Sequence, residues 1–236
     1  MNKLAIIPVR SGSKRIPKKN IKLFLGKPLV YYAIDAAIKS KLFDKIIVST
    51  DSEEIALISN QFGAETPFLR PKFLSDDITP TIPVIKHAIS WFLENKFDFK
   101  YCCCIYANPF VTPINLIKAF EVMNNSYATS VVPVTSYPFS IYRSVRINDL
   151  GSIEFIFKDN SLVRSQDLDE AYHDAGQFYW WNVNDLMATE DISELQKRNR
   201  FPLIIPRNQV QDIDTLEDWD VAERLYNLAK SQYSES

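Results

Sequence analysis

Apolar and polar positions follow two rhythms along this chain. Continuous apolar runs of strand length occur at Leu4–Pro8, Lys45–Ser49, Tyr101–Tyr106 and Ala128–Val134. Such runs suit strands covered on both faces. Between them, apolar residues recur at helical spacing. Pro28–Ser40 places Leu29, Tyr32, Ala33, Ala36 and Ala37 on one face. The stretch from Ser52 to about Phe62 opens with Glu53 and Glu54, as the helix dipole prefers. Pro80–Asn95 predicts a third helix, and Pro113–Asn124 a fourth with proline in its first turn. This alternation predicts an α/β fold: a three-layer α/β/α arrangement around an open, mostly parallel sheet.

The middle of the chain breaks the rhythm. Ser140–Arg146, Gly151–Phe157 and Gln177–Val183 predict strands with no helix between them. They read as a small antiparallel excursion over about residues 138–183, a candidate dimerisation arm. Leu203–Pro206 then predicts a short strand and Thr215–Ser231 a closing helix. No repeat or linker divides the chain, so one domain over 1–236 is expected.

Composition narrows the class. With 236 residues, 46% hydrophobic and 24% charged, the chain is neither disordered, collagen-like nor a disulfide scaffold. Its length supports a core without structural metal or disulfides. No apolar run reaches the roughly 18 residues of a membrane span, and the N-terminal run is too short for a signal peptide. The three cysteines, Cys102, Cys103 and Cys104, are consecutive on a predicted strand. They alternate faces, so they read as buried thiols rather than disulfide partners or a zinc site. A cytoplasmic location is expected. His87 and His173, the two histidines, read as structural.

A net charge of −2 argues against nucleic-acid binding. That average hides a polarity. Residues 1–27 hold eight basic groups and no acidic one, and the first acidic residue is Asp35. The basic groups concentrate after the first strand, in Arg10-Ser11-Gly12-Ser13-Lys14-Arg15-Ile16-Pro17-Lys18-Lys19-Asn20. Ligands of open α/β sheets bind beyond the carboxyl ends of the strands. Glycine and serines let backbone N–H groups approach an anion, and Arg and Lys add bidentate and point charges. Such a loop suits a polyphosphate, although a run of charge also serves as a solvated surface. It is neither a P-loop nor a dinucleotide fingerprint.

RSGSKRIPKKN resembles the N-terminal signature of the CMP-sugar synthetases, the acylneuraminate cytidylyltransferase family. The resemblance continues through Phe43–Asp51, through Leu69-Arg70-Pro71 with Ser75-Asp76-Asp77, and through the closing acidic segment. It implies a Rossmann-like fold of the nucleotide-diphospho-sugar transferase type. It also implies transfer of CMP from CTP to the anomeric hydroxyl of a nonulosonic acid, with release of pyrophosphate. Arg10, Ser11, Gly12, Ser13, Lys14, Lys19, Asn20 and Arg70 would bind the nucleotide, with Lys14 and Lys19 acting catalytically. The family commonly forms homodimers.

Two segments bear on the sugar. Ile105-Tyr106-Ala107-Asn108-Pro109 stands where sialate enzymes carry LQPTSPLR, with Tyr106 in place of Gln. Asp174-Ala175-Gly176-Gln177-Phe178-Tyr179-Trp180 is similar to the subgroup that activates pseudaminic acid. Tyr106, Asn108, Gln177 and Tyr179 are therefore the candidate sugar-binding residues. Gln177 and Tyr179 share a strand face, where Gln177 would also fit as an incidental half-buried residue. Sialic or legionaminic acid are the alternative substrates. A non-catalytic nucleotide-binding module on the same fold is the alternative of another class.

Residues 211–220 hold five acidic groups and no basic one. On an extended segment Asp212 and Asp214 point the same way, suited to hold Mg²⁺ beside phosphates, while Asp214 would equally cap the closing helix. The resemblance implies the metal role, and with it a catalytic one, for Asp212 and Asp214.

Overall fold

The structure is a computed structural model and describes residues 2–234 except positions 161 and 191. In chain order it contains β1 (Lys3–Pro8), the short hairpin β2 (Leu23–Phe24) and β3 (Lys27–Pro28), α1 (Leu29–Ser40), β4 (Lys45–Ser49) and α2 (Glu53–Gln61). Next come α3 (Thr81–Glu94), β5 (Tyr101–Ile105), α4 (Pro113–Asn125), β6 (Ser130–Ser136), β7 (Val145–Ile147) and β8 (Ile153–Phe155). The last third holds β9 (Tyr172–Asp174), β10 (Phe178–Asn182), α5 (Val183–Met187), α6 (Ile192–Lys197), β11 (Arg200–Ile204) and α7 (Leu216–Ser234).

The continuous apolar runs become the sheet interior. Its strand order is β11-β6-β10-β5-β1-β4, with β9 also paired to β6. β1 runs parallel to β4 and β5, and β11 parallel to β6. Side-chain alternation splits the core into two layers. Ala5, Ile7, Cys103, Phe178 and Trp180 face α1 and α4. Leu4, Ile6, Cys102, Cys104 and Trp181 face α3 and α5. Trp180 stacks on Phe43 at 5.2 Å and packs against Phe120 at 4.9 Å. Each such side chain removed from water contributes about 1.5–3 kcal/mol. The three thiols are fully buried, and burial pushes them up.

A third cluster carries the functional end. Ile16 from the basic loop, Phe24, Leu29, Phe110, Ile213 and Trp219 bury together. It ties the basic loop, the start of α1 and the acidic segment to one apolar anchor.

Several expectations need correction. Gln177–Val183 does not belong to an excursion: β10 lies inside the main sheet, antiparallel between β5 and β6. β9 and β10 form one strand line along β6, interrupted at Ala175–Gln177, where Gly176 has φ 63°. Ser140–Arg146 is a turn of 3-10 helix at Ile141–Arg143 followed by β7. Of the predicted excursion, β7 and β8 form a two-stranded sheet apart from the main one. The predicted strand at Leu203–Pro206 begins earlier, at Arg200. The sequence reading did not anticipate α5, α6 or the β2–β3 hairpin.

Candidate functional site

Beyond the carboxyl ends of β1 and β5 lies a cleft of about 570 Å³. The basic loop forms one wall, and it is held by local hydrogen bonds. Asp51 accepts from the Ser11 amide at 2.9 Å and the Ser11 hydroxyl at 2.6 Å. Burial works to raise the Asp51 carboxyl, but the Ser11 donors, together with its own backbone amide and the charge of Arg70, hold the group below its ordinary range. Ser52 caps α2. Asn20 donates to the Arg10 carbonyl at 3.0 Å. Buried Ile16 pins the middle of the loop.

Arg10, Ser13, Lys14, Arg15, Lys19 and Asn20 line the cleft. Ser11 is exposed but turned to Asp51, and Gly12 borders open space, so neither is part of the wall. Lys18 leaves the cleft for Glu54, at 2.8 Å. Arg70 forms the opposite wall. It is 5% exposed, its backbone amide donates to the Thr50 carbonyl at 2.7 Å, and its Nε donates to the Ser75 hydroxyl at 3.0 Å. Burial lowers its guanidinium from the usual value, against the opposing pull of Asp51.

Asp212 and Asp214 flank the anchored Ile213. Asp214 lines the main cleft, and Asp212 lines a neighbouring recess of about 300 Å³ that shares Lys19 and Asn20. Lys19 Nζ donates to the Ile213 carbonyl and stands 3.7 Å from Asp214. Arg15 pairs with Asp214 at 2.8 Å. Asp214 is not the helix cap. Thr215 and Asp218 form a capping box, with the Thr215 hydroxyl accepting from the Asp218 amide at 3.1 Å and Asp218 accepting from the Thr215 amide at 2.8 Å. Among the described residues, no three His, Cys, Asp or Glu side chains form a metal cluster. Two carboxylates completed by phosphate oxygens and water are nonetheless a donor set that suits Mg²⁺.

Tyr106 stands at the junction. It lines the main cleft, the Asp212 recess and a third recess of about 230 Å³. Its hydroxyl lies 2.6 Å from Thr81 Oγ1 at the start of α3. The third recess also presents Tyr179, whose hydroxyl donates to both oxygens of Asp174 at 2.8 Å. Burial, then the charge of Asp174, raises the Tyr179 phenol, and burial alone leads in raising Tyr106. Both therefore remain neutral hydrogen-bonding groups at neutral pH. Asn108 lines the Asp212 recess and shapes the turn after β5, donating to the Gln211 carbonyl and accepting from the Phe110 amide.

Gln177 departs from expectation. It is fully buried, precedes β10 rather than lying in it, and donates to the Gln209 carbonyl at 2.6 Å. A side chain so enclosed presents no surface to a sugar. Neither histidine reaches the cleft lining; His87 packs edge-on against Phe68, and His173 lies against Tyr137. Sequence reasoning missed Thr81, Asp174 and the ionic role of Asp77, which pairs with Arg10 and Lys14. The Ser75-Asp76-Asp77 stretch, already notable beside Arg70, was the available signal for the last.

Comparison with known proteins places the chain in a family. A model of the cytidylyltransferase family matches residues 4–234. The pseudaminic acid cytidylyltransferase of Campylobacter jejuni is 37% identical over 97% of both chains. The CMP-N,N'-diacetyllegionaminic acid synthase of Legionella pneumophila is 32% identical, again over 97% of both. CMP:2-keto-3-deoxy-manno-octonic acid synthetase, solved in complex with CTP, superposes with a TM-score of 0.72 at 14% identity, over 97% of this chain and 100% of that one. A basic loop after the first strand, an acidic pair before the last helix and a matching model across nearly every residue lead to one assignment: the chain belongs to the cytidylyltransferase family.

Proposed function

We propose that this chain transfers CMP from CTP to the anomeric hydroxyl of pseudaminic acid, yielding the CMP-sugar and pyrophosphate. The observation that carries the reading is the convergence of Arg10, Lys14, Lys19 and Arg70 on one cleft that shares Tyr106 with two adjoining recesses. The likeness to the Campylobacter enzyme over 97% of the chain supports the choice of sugar.

In this reading Arg70 and the segment after it hold the base, while Lys14, Lys19 and Asn20 hold the phosphates. Tyr106, Asn108 and Tyr179 face the sugar; Gln177 has a structural role. The anomeric oxygen forms a bond to the α-phosphorus as the bond to the bridging oxygen of pyrophosphate breaks. Lys14 and Lys19 stabilise the charge that accumulates on the leaving oxygens. The proton of the anomeric hydroxyl passes to Asp212, Asp214 or a bound water. Asp212 and Asp214 would hold Mg²⁺, which when bound supplies charge neutralisation at the phosphates.

Purified protein given CTP, Mg²⁺ and each of pseudaminic, legionaminic and sialic acid tests the reading by pyrophosphate release. Fastest turnover with pseudaminic acid is expected. Preference for another of the three would replace the sugar, and no release with any would favour a nucleotide-binding module.

A homodimer in the cytoplasm completes the reading. The β7–β8 hairpin is two-stranded, and such a unit is marginal alone. It and its flanks expose Phe139, Ile147, Leu150, Ile153 and Leu162. A second copy would cover this apolar surface. Light scattering that returns one chain's mass would rule this out. The partners proposed are thus CTP, the sugar and a second copy, without nucleic acid or membrane; among the described residues no helix is long and apolar enough to cross one.

A further inference from the structure

Two cations of the basic loop converge on one carboxylate from a different segment. Arg10 Nη1 lies 2.6 Å from Asp77 Oδ1, and Lys14 Nζ contacts Asp77 Oδ2. Each carboxylate oxygen thus holds one cation, much as two oxygens of a phosphate would. The other loop cations are paired as well: Lys18 with Glu54, and Arg15 and Lys19 with Asp214.

Asp77 is presented by a turn with its own internal bonds. Asp76 accepts from the Ile78 amide at 3.1 Å and the Thr79 amide at 2.7 Å, and Thr79 donates its hydroxyl to the Phe73 carbonyl at 3.2 Å. Pro71 and Pro80 bracket it. The turn is not fastened by apolar packing at its tip, where Phe73 and Ile78 are 73% and 86% exposed. Arg10 holds it through the Asp76 carbonyl, at 2.6 Å, and through Asp77. Lys14, at 82% exposure, adds a pair open to water. Exposed pairs of this kind are weak and salt-sensitive. The Lys14 and Arg10 contacts hold the Asp77 carboxyl below the usual carboxylate range, so it is ionised at neutral pH.

We infer that Asp77 is a positioning and selectivity residue for the phosphate-binding cleft, an internal anion that a polyphosphate must displace to reach Arg10 and Lys14. The inference rests on the reading of this cleft as a CTP site. It has two consequences. Without nucleotide, Arg10 and Lys14 are held at the cleft rather than spread into solvent. With competing anions present, a ligand of low charge gains too little to displace Asp77, whereas a triphosphate with many anionic oxygens gains enough.

Calorimetric titration of inorganic pyrophosphate and of CTP into wild type and Asp77→Asn, in metal-free buffer, tests this. The variant should bind pyrophosphate about two- to tenfold more tightly, with the difference shrinking as salt rises. Its preference for CTP over pyrophosphate should fall. Asp77→Ser, which keeps no carboxylate and no amide, should behave the same way, and matching melting temperatures would show that both variants keep the fold. Trypsin should also cut after Lys72 faster in the variants, because the turn loses its ionic tether. Pyrophosphate binding that is unchanged or weaker in both variants overturns the role of Asp77 and leaves the CTP reading standing. Failure of wild type and variants alike to bind CTP or pyrophosphate overturns both.

Discussion

The two ends of the cleft are built from different materials. At the basic loop, the working groups are exposed side chains in ion pairs, with Lys14 largely and Asp77 partly open to water. At the junction around Tyr106, they are half-buried phenols with fixed partners: Tyr106 on Thr81 and Tyr179 on Asp174. Exposed pairs exchange partners at small cost, whereas a buried polar group that loses its partner carries a penalty of about 1–3 kcal/mol. In the proposed reading, the basic end can therefore exchange one anion for another. In the same reading, the junction keeps its shape while a hydroxyl-rich sugar acid enters.

The comparison can be broken at either end. The largest effect is expected at the basic loop and acidic segment. Lys14→Ala, or Asp214→Asn, should lower kcat on the order of 10²–10³-fold, because a donor or ligand acting on developing charge is lost. Melting should barely change for Lys14→Ala, since that side chain is mostly solvated. Near-wild-type turnover in either variant would sink the assignment of this end.

A smaller effect should follow at the junction. Tyr106→Phe leaves Thr81 Oγ1 without its partner and should cost about 1–2 kcal/mol of stability. The KM for the sugar should rise about five- to tenfold, and that for CTP less. Equal changes in both KM values would mean that the junction does not separate sugar from nucleotide.

The smallest effect concerns the loop's support. The Asp51 carboxyl is held below its ordinary range in the fold. Its stabilising contribution is therefore complete above the unfolded carboxylate value and is lost as pH falls through the depressed folded value. Asp51→Ala should be less stable than wild type at neutral pH, and urea titrations should find the gap closing only in strong acid. A gap that stayed constant down through that range would show that Ser11 does not depend on the charge.

How much of this was legible in the sequence follows from how local each feature is. Continuous apolar runs gave β1, β4 and β5 nearly to the residue, because covering a strand on both faces needs nothing but apolar side chains in a row. Phe178–Asn182 was legible as a strand but not as a neighbour of β5 and β6. Its alternation of Phe178 and Trp180 against Tyr179 and Trp181 would serve a peripheral hairpin equally well, and only pairing far along the chain decides between them. The basic loop announced itself by charge. Asp77 and Thr81 did not, because their meaning lies in partners more than twenty residues away, Arg10, Lys14 and Tyr106. Asp214 was ambiguous between cap and ligand until Thr215 and Asp218 were seen to cap α7 together. Gln177 was misjudged for a related reason: Gly176 turns the backbone just before it, so strand alternation does not set its direction.

The placement of β10 has a consequence for how the chain comes to be folded. β4, β1 and β5 can assemble early from neighbouring segments, but the free edge of β5 stays unpaired until Phe178–Asn182 has been made. β6 cannot join β5 directly, because the strand that lies between them is later in sequence than both. An open, apolar strand edge is where chains adhere to one another. A chain folding in order of synthesis would carry that open edge at its centre until the insertion of one antiparallel strand completed the sheet and covered it.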